Sequence, residues 1–173
     1  KQLFAQVTNP PIDSIREAIV MSVRASVGSE RNLLDETPEH ARQLVIDNPI
    51  LLDQELEQLR KVDSHAFTSW TIATTWPAAE GADGLERAVD RICDEASVAL
   101  AAGANILILS DRSAGPARVP LPSLLPAGSL HHHLVRAGPR PPAGLGLESG
   151  SPRALHARAA PPPTRPPPGH PPL

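Results

Sequence analysis

One cysteine, Cys93, stands in a chain of 173 residues. That scarcity excludes an intrachain disulfide, and it excludes any multi-cysteine metal or iron–sulfur centre built by this chain alone. No apolar run is long enough to cross a bilayer, so no membrane partner is expected. No secretory signal opens the chain either, which makes the cytoplasm the default compartment. Acids almost vanish from the last third: 18 of 19 lie before residue 116, leaving Glu148 alone beyond it. The same last third contains no lysine and no aromatic side chain. Base stacking is therefore absent there, and no nucleic-acid partner is expected. An initiator methionine is also missing before Lys1, and the expectation is a piece of a longer polypeptide.

What the last third does have is proline, with 16 of the 21 falling from Pro116 onward. Residues 1–115 carry 18 acids against 10 Lys and Arg, a net of −8, whereas residues 116–173 carry one acid and six arginines, a net of +5. Only the first part has the composition of an ordinary globular domain. From Pro139 onward Pro, Gly, Ala and Arg dominate. Pro161-Pro162-Pro163 and Pro166-Pro167-Pro168 suit polyproline helix, and residues 139–173 read as a proline-rich irregular tail without an apolar face.

The fold class rests on residues 67–112, which read as strand, helix, strand. Residues 67–76 are rich in β-branched and aromatic side chains and stop at Pro77. Asn105-Ile106-Leu107-Ile108-Leu109-Ser110 is a continuous apolar run, the pattern of a strand buried on both faces of a parallel sheet. Between them Leu85, Ala88, Val89, Ile92, Ala96, Ala99 and Leu100 share one helical face. Asp83 is the expected cap, Glu86 completes a capping box, and Gly103 supplies the stop. This is an α/β protein: a partial parallel sheet with covering helices, joined by a right-handed crossover.

Before that unit, Asp13 caps an expected helix through Ser26, ended by Gly28. Thr37 caps a short one with Pro38 at its first position, and Asp53 caps another with Leu56 and Leu59 facing inward. Leu44-Val45-Ile46 and Pro49-Ile50-Leu51-Leu52 suit either strands or packed loops. After it, a helix from Pro122 to Arg136 meets an obstacle in Pro126, whose ring and missing N–H cost about 3 kcal/mol in a helix interior.

Residue types with chemical potential are few. His131-His132-His133 point about 100° apart on a helix, so they do not converge on one metal ion, and one or two buried rings with the rest solvated is the simpler reading. Cys93 reads as a small buried apolar thiol, with no base or positive field nearby in sequence. Asp111 and Arg112 sit at a parallel strand's carboxyl end, where α/β sheets usually bind ligands, and they read as a loop-fixing ion pair. Gly144-Leu145-Gly146 is a fragment of a phosphate-loop pattern, short of its third glycine. No catalytic, cofactor-binding or metal residue is assigned.

Several of these stretches resemble one family. Lys1-Gln2-Leu3-Phe4-Ala5-Gln6-Val7-Thr8-Asn9-Pro10-Pro11-Ile12-Asp13, then Ile15-Arg16-Glu17 and Met21-Ser22, resemble the start of the central domain of the glutamate synthase large subunit. Asn32-Leu33-Leu34, Glu36-Thr37-Pro38-Glu39-His40, Leu109-Ser110-Asp111-Arg112, Pro120-Leu121-Pro122-Ser123-Leu124-Leu125 and His131-His132-His133-Leu134-Val135-Arg136 follow in the family's order. The resemblance covers residues 1–138, with an echo in Leu147-Glu148-Ser149-Gly150.

It implies a parent enzyme that moves the amide nitrogen of glutamine to 2-oxoglutarate and reduces the product, giving two glutamates. It also implies partners in the same polypeptide, a glutaminase domain and an FMN-binding domain with an iron–sulfur cluster, and a small reductase subunit in some parents. This piece would be the connector between them, inactive alone and holding no cofactor. Pro126 stands where the family has alanine, and the pattern fades after Gly150. The expectation there is a damaged or frame-shifted reading of a GC-rich gene, or else a purpose-made disordered tail. A fragment lacking its neighbours is also expected to expose apolar edges. The competing readings are a stand-alone interaction module with a partner-binding proline-rich tail, and, less favoured, an independent enzyme using Asp111 and the histidines.

Overall fold

The computed structural model describes residues 23–28, 37–64, 66–136 and 143–150, together with Ile15 and the pair 163–164. In chain order the elements are β1 (Ala25–Gly28), a 3-10 turn (Pro38–Ala41), β2 (Gln43–Ile46), α1 (Asp53–Arg60), β3 (Ser69–Ala73) and β4 (Thr75–Pro77). A second 3-10 turn (Ala78–Glu80), α2 (Asp83–Ala101), β5 (Ile106–Ser110), β6 (Arg118–Pro120), α3 (Leu124–Arg136), β7 (Gly144–Glu148) and a two-residue β8 (Pro163–Thr164) follow.

All five residues of β5 are buried, because β5 is the inner strand of the parallel sheet β3-β5-β7, with β8 beyond β7. The register sets Thr71 opposite Ile108 and Ile108 opposite Gly146. Successive side chains of a strand point to opposite faces, and β5 supplies a core on each. Leu107 and Leu109 join Ile72, Leu147, Ile92, Ala96, Leu130 and Leu134 under α2 and α3. Ile106 and Ile108 meet Leu51, Leu56 and Leu59 of the α1 region, with Val27, Leu44, Ile46 and Phe67 packed around them. Burying a large aliphatic side chain is worth about 1.5–3 kcal/mol, so this strand stabilises both outer layers at once. The α/β class and the parallel β3–β5 pair are as the sequence indicates.

Local details depart from expectation. The stretch 67–76 is not one strand: β3 ends at Ala73, and β4 turns to pair antiparallel with β6. At Thr74 the chain changes partners, its N–H donating to Ser110 O at 2.8 Å while its carbonyl accepts from Leu121 N at 2.9 Å. Neither expected carboxylate cap forms. Asp83 and Asp53 are the first helical residues, preceded by Ala82 and Leu52 at the cap positions. At α1 it is Glu55 that reaches back, accepting from Leu52 N at 2.7 Å. Gly103 ends α2 as expected, with φ +96°.

The helix expected over 13–26 ends sooner, since Ala25 and Ser26 belong to β1, paired with Ile46 and Val45 of β2. Val27 is drawn into the core under Phe67, so tertiary packing overrides local helical spacing. Val23 and Arg24 are not helical, and residues 13–22 of that expected helix, save helical Ile15, lie outside the described residues. Pro126 breaks nothing. α3 begins at Leu124, which puts the proline in the first turn, where an N–H would have no intrahelical partner anyway.

A larger correction concerns Gly144–Glu148, left with the irregular tail by the sequence. These residues are β7, paired in parallel with β5 along its full length. Two glycines obscure its strand character, yet one of them is required. A Cβ on Gly144 would meet Val27 Cγ1 and come within 3.2 Å of Gly28 N, whereas one on Gly146 finds its nearest neighbour, Ile108 Cγ1, at 3.8 Å. Because Val27 is stiff at χ1, Gly144→Ala must shift β1 and is expected to cost about 1–3 kcal/mol by urea denaturation. Gly146→Ala should change stability by less than about 0.5 kcal/mol. Equal effects at the two glycines would contradict this packing.

Candidate functional site

The carboxyl edge of the parallel sheet gathers the buried polar groups. Ser110 and Glu148 end β5 and β7 and lie opposite each other in register. Arg60 is the last residue of α1, and Arg112 follows β5 by two residues. The Glu148 side chain is only 1% exposed. Its Oε2 accepts from Arg60 Nη2 and from the Ser110 hydroxyl. Its Oε1 accepts from Arg112 Nε at 2.8 Å, and Arg112 Nη2 lies 2.6 Å from the same oxygen as an ion-pair contact. A carboxylate offers about four lone-pair sites, and three protein donors hydrogen-bond to this one. Glu57 on α1 closes the ring, 3.6 Å from Arg60 and 3.8 Å from Arg112.

Asp111 and Arg112 therefore do not pair with each other. Asp111 turns the other way, its Oδ2 accepting from Ser149 Oγ at 2.6 Å and from Gly150 N at 3.2 Å. Each fixes a different part of the segment after β7. The hydrogen bond to Glu148 pushes the Arg112 guanidinium up from its ordinary value; burial opposes this, and the charges of Glu148, Glu57 and Asp53 add to the rise. The cluster joins α1, β5 and β7 by charge-assisted bonds, and it leaves one buried donor, Arg60 Nε, without a hydrogen-bond partner.

The histidines do not converge. His131 and His132 are exposed and meet edge to face, ring centroids 5.4 Å apart. His133 is half-buried rather than buried, its Nε2 2.9 Å from Ser97 Oγ. That contact has the wrong polarity for a nucleophile and its base. The Ser97 hydroxyl donates its proton to Cys93 O at 3.0 Å, so His133 Nε2 carries the hydrogen and donates to Ser97. Cys93 is buried on α2. Desolvation pushes its thiol up, and Asp90 and Asp94 add to the rise, the opposite of what activates a thiolate.

Gly144 and Gly146 lie within the sheet, Gly144 N donating to Asn105 O at 2.9 Å, so they form no open cradle of N–H groups. Sequence reasoning placed Ser110, Asp111 and Arg112 at this edge and missed Arg60, Ser149 and the central role of Glu148. The available signal was Glu148 itself, the one acid of the tail, directly after an apolar pair.

Fold and cluster define a three-layer α/β domain whose carboxyl edge is tied together around Glu148. Residues 1–161 match the glutamate synthase central domain, and the chain belongs to that family. It is 43% identical over 159 residues to the NADH glutamate synthase of Schizosaccharomyces pombe, covering 90% of this chain and 8% of the relative. Identity is 40% over 148 residues to the chloroplastic ferredoxin-dependent glutamate synthase of Oryza sativa subsp. japonica, covering 84% of this chain and 9% of the relative. It is likewise 40% over 140 residues to the large chain of the NADPH glutamate synthase of Azospirillum brasilense, covering 81% and 9%. The chain thus spans less than a tenth of the length of these relatives. The family match also runs past residue 138, across β7 and beyond.

Two outcomes are expected. Glu148→Gln leaves half-buried Arg60 with only its looser contact to Glu57, at 3.6 Å, and lowers unfolding free energy by about 3 kcal/mol, whereas Arg112→Ala, at a partly exposed position, costs about 1 kcal/mol or less; urea denaturation ranks them. Ser97 should remain unlabelled by a fluorophosphonate probe under conditions that label a serine hydrolase, with intact mass as the readout. Stoichiometric labelling at Ser97 would reverse the polarity assigned to its bond with His133.

Proposed function

We propose that this chain is a connector within glutamate synthase, holding the glutaminase and FMN-binding domains of the longer polypeptide in register while performing no chemistry itself. The observation that supports the reading most is the internal bonding of Glu148 at the carboxyl edge. At the place where α/β sheets usually present reactive groups, Glu148 is bonded by Arg60, Arg112 and Ser110. Family membership supplies the enzyme, which belongs to the relatives by name; the role of this part within it is our reading.

The groups expected of the parent do not fit these residues. An iron–sulfur cluster needs several thiolates, and Cys93 is a single, buried one. The glycines that echo a phosphate loop are sheet residues, with Gly144 N already donating to Asn105 O. FMN and the cluster are accordingly assigned to other domains, and a small reductase subunit, where one exists, to contacts outside this chain. No helix among the described residues is long and apolar enough to cross a membrane. A lone buried thiol accords with the cytoplasm as the compartment.

The chemistry proposed for the whole enzyme is the transfer of the glutamine amide nitrogen to 2-oxoglutarate followed by reduction. The purified chain, given glutamine, 2-oxoglutarate, FMN and a reductant, is expected to form no glutamate. Within the longer polypeptide, Glu148→Ala is expected to leave glutaminase activity measurable while raising the glutamine hydrolysed per glutamate made. Glutamate formation by the chain alone, or unchanged stoichiometry at full activity in the variant, would overturn the proposal.

A further inference from the structure

β3 is the outermost strand of the parallel sheet, with β5 on one side and no strand paired to the other among the described residues. The bonds at its two ends show which backbone groups face which way. Ile106 N donates to Thr68 O at 3.2 Å and Thr74 N to Ser110 O at 2.8 Å, so the even-numbered residues bond toward β5. Odd-numbered residues bond outward: Ser69 N donates to Val62 O at 3.3 Å, and Ala73 O accepts from Arg91 Nη2 at 2.6 Å. Between those closures Ser69 O, Thr71 N, Thr71 O and Ala73 N face outward with no hydrogen-bond partner among the described residues. Trp70 and Thr71 are exposed there. Ser69-Trp70-Thr71-Ile72-Ala73 carries neither the charge nor the proline that keeps a bare edge from pairing.

The unpaired groups are those that a parallel neighbour uses. In a parallel ladder a residue donates to the carbonyl just before its opposite number and accepts from the N–H just after it. Ile106, opposite Ser69, donates to Thr68 O in this way. A residue opposite Trp70 would take Ser69 O and Thr71 N, and one opposite Ile72 would take Thr71 O and Ala73 N. Every outward group is then satisfied. An antiparallel neighbour bonds in opposed pairs and would need Ser69 N and Ala73 O, which Val62 and Arg91 already hold. Side chains opposite Trp70 and Ile72 would project on the α2 side, beside the Trp70 ring. Arg91 and Val98, about two turns apart, lie on the flank of α2 at this edge, and Val98 is 63% exposed. An apolar residue opposite Trp70 suits that position.

A second copy does not supply such a strand. A two-fold axis across the strands sets two β3 edges antiparallel, and one along them brings each outward N–H level with another N–H. A free partner is excluded by size, because two bonded residues fall far short of the roughly 1,000 Å² that a stable interface needs. A tethered segment loses far less freedom on docking, and this chain spans less than a tenth of the length of its relatives. We infer that the outer edge of β3 receives a parallel strand from elsewhere in the longer polypeptide, with an apolar residue opposite Trp70. Resting on the connector reading, the shared strand ties this domain to the rest of the enzyme through backbone bonds.

Amide hydrogen exchange, resolved residue by residue through fragmentation in the mass spectrometer, is measured on the purified chain and on the longer polypeptide. In the chain alone Thr71 and Ala73 should exchange at least about tenfold faster than Trp70 and Ile72, whose N–H groups face β5. In the longer polypeptide both should slow by about a hundredfold or more, at any protein concentration. Thr71→Pro removes only an outward N–H, so it should lower the melting temperature of the chain less than Trp70→Pro does. In the longer polypeptide it should return Ala73 to fast exchange. Thr71 and Ala73 that stay fast in the longer polypeptide, or are already slow in the chain alone, would overturn the inference. So would slowing that depends on concentration, the reverse order of melting, or a cryo-electron microscopy map showing an antiparallel strand at this edge. Tight coupling of glutamine hydrolysis to glutamate formation in a polypeptide whose β3 edge exchanges fast would sink the shared strand and leave the connector reading standing.

Discussion

The carboxylate of Glu148 is where the layers of this domain are tied together. Taking a carboxylate out of water is expensive, and the structure offsets that cost with two guanidinium groups and a hydroxyl. Those donors come from α1, from the end of β5 and from the residues just past it. The bond cluster consequently does more than neutralise a charge. It fixes where β7 ends relative to β5 and where α1 stops relative to both. The hydrophobic burial around β5 is non-directional and would tolerate a strand sliding along its neighbour; the bonded carboxylate does not.

That division of labour explains why the usual binding edge of an α/β sheet offers so little here. Asp111 and Arg112 look inviting in sequence because of their place after an apolar strand. In the fold they diverge, Arg112 to Glu148 and Asp111 to Ser149 and Gly150. Arg112 thus holds the last residue of β7, and Asp111 the two residues that follow it. The histidines follow the same rule on the opposite face: the one ring with a protein hydroxyl beside it, His133, secures α3 to α2.

Much of the architecture was legible because β5 and α2 carry strong, uniform patterns. An unbroken run of four large apolar residues leaves few options other than an inner strand, and seven apolar residues on one helical face leave few options other than a covering helix. Legibility failed wherever a residue's role depends on a distant partner. Val27 belongs to a strand only because Phe67 and the α1 region surround it. Asp83 and Asp53 look like caps, yet each helix begins one residue earlier in geometry than in chemistry. Glycines hid β7, since Gly144 exists to let β1 approach and has no side chain to announce a strand. Glu148 could be recognised as odd, but its partners required the strand order to be known.

The bond between Arg60 and Glu148 spans 88 positions of sequence. During synthesis the amino-terminal hairpin and α1 must therefore leave the ribosome with Arg60 paired only to Glu57 of its own helix, and at ordinary elongation rates its buried counter-ion arrives roughly 4–18 s later. Until then β5 has a neighbour on one side only, and its other edge can pair with any passing strand. The interval makes the nascent domain a client for whatever shelters open sheet edges in the cell, and it makes the arrival of the last few residues of β7 the event that commits the rest.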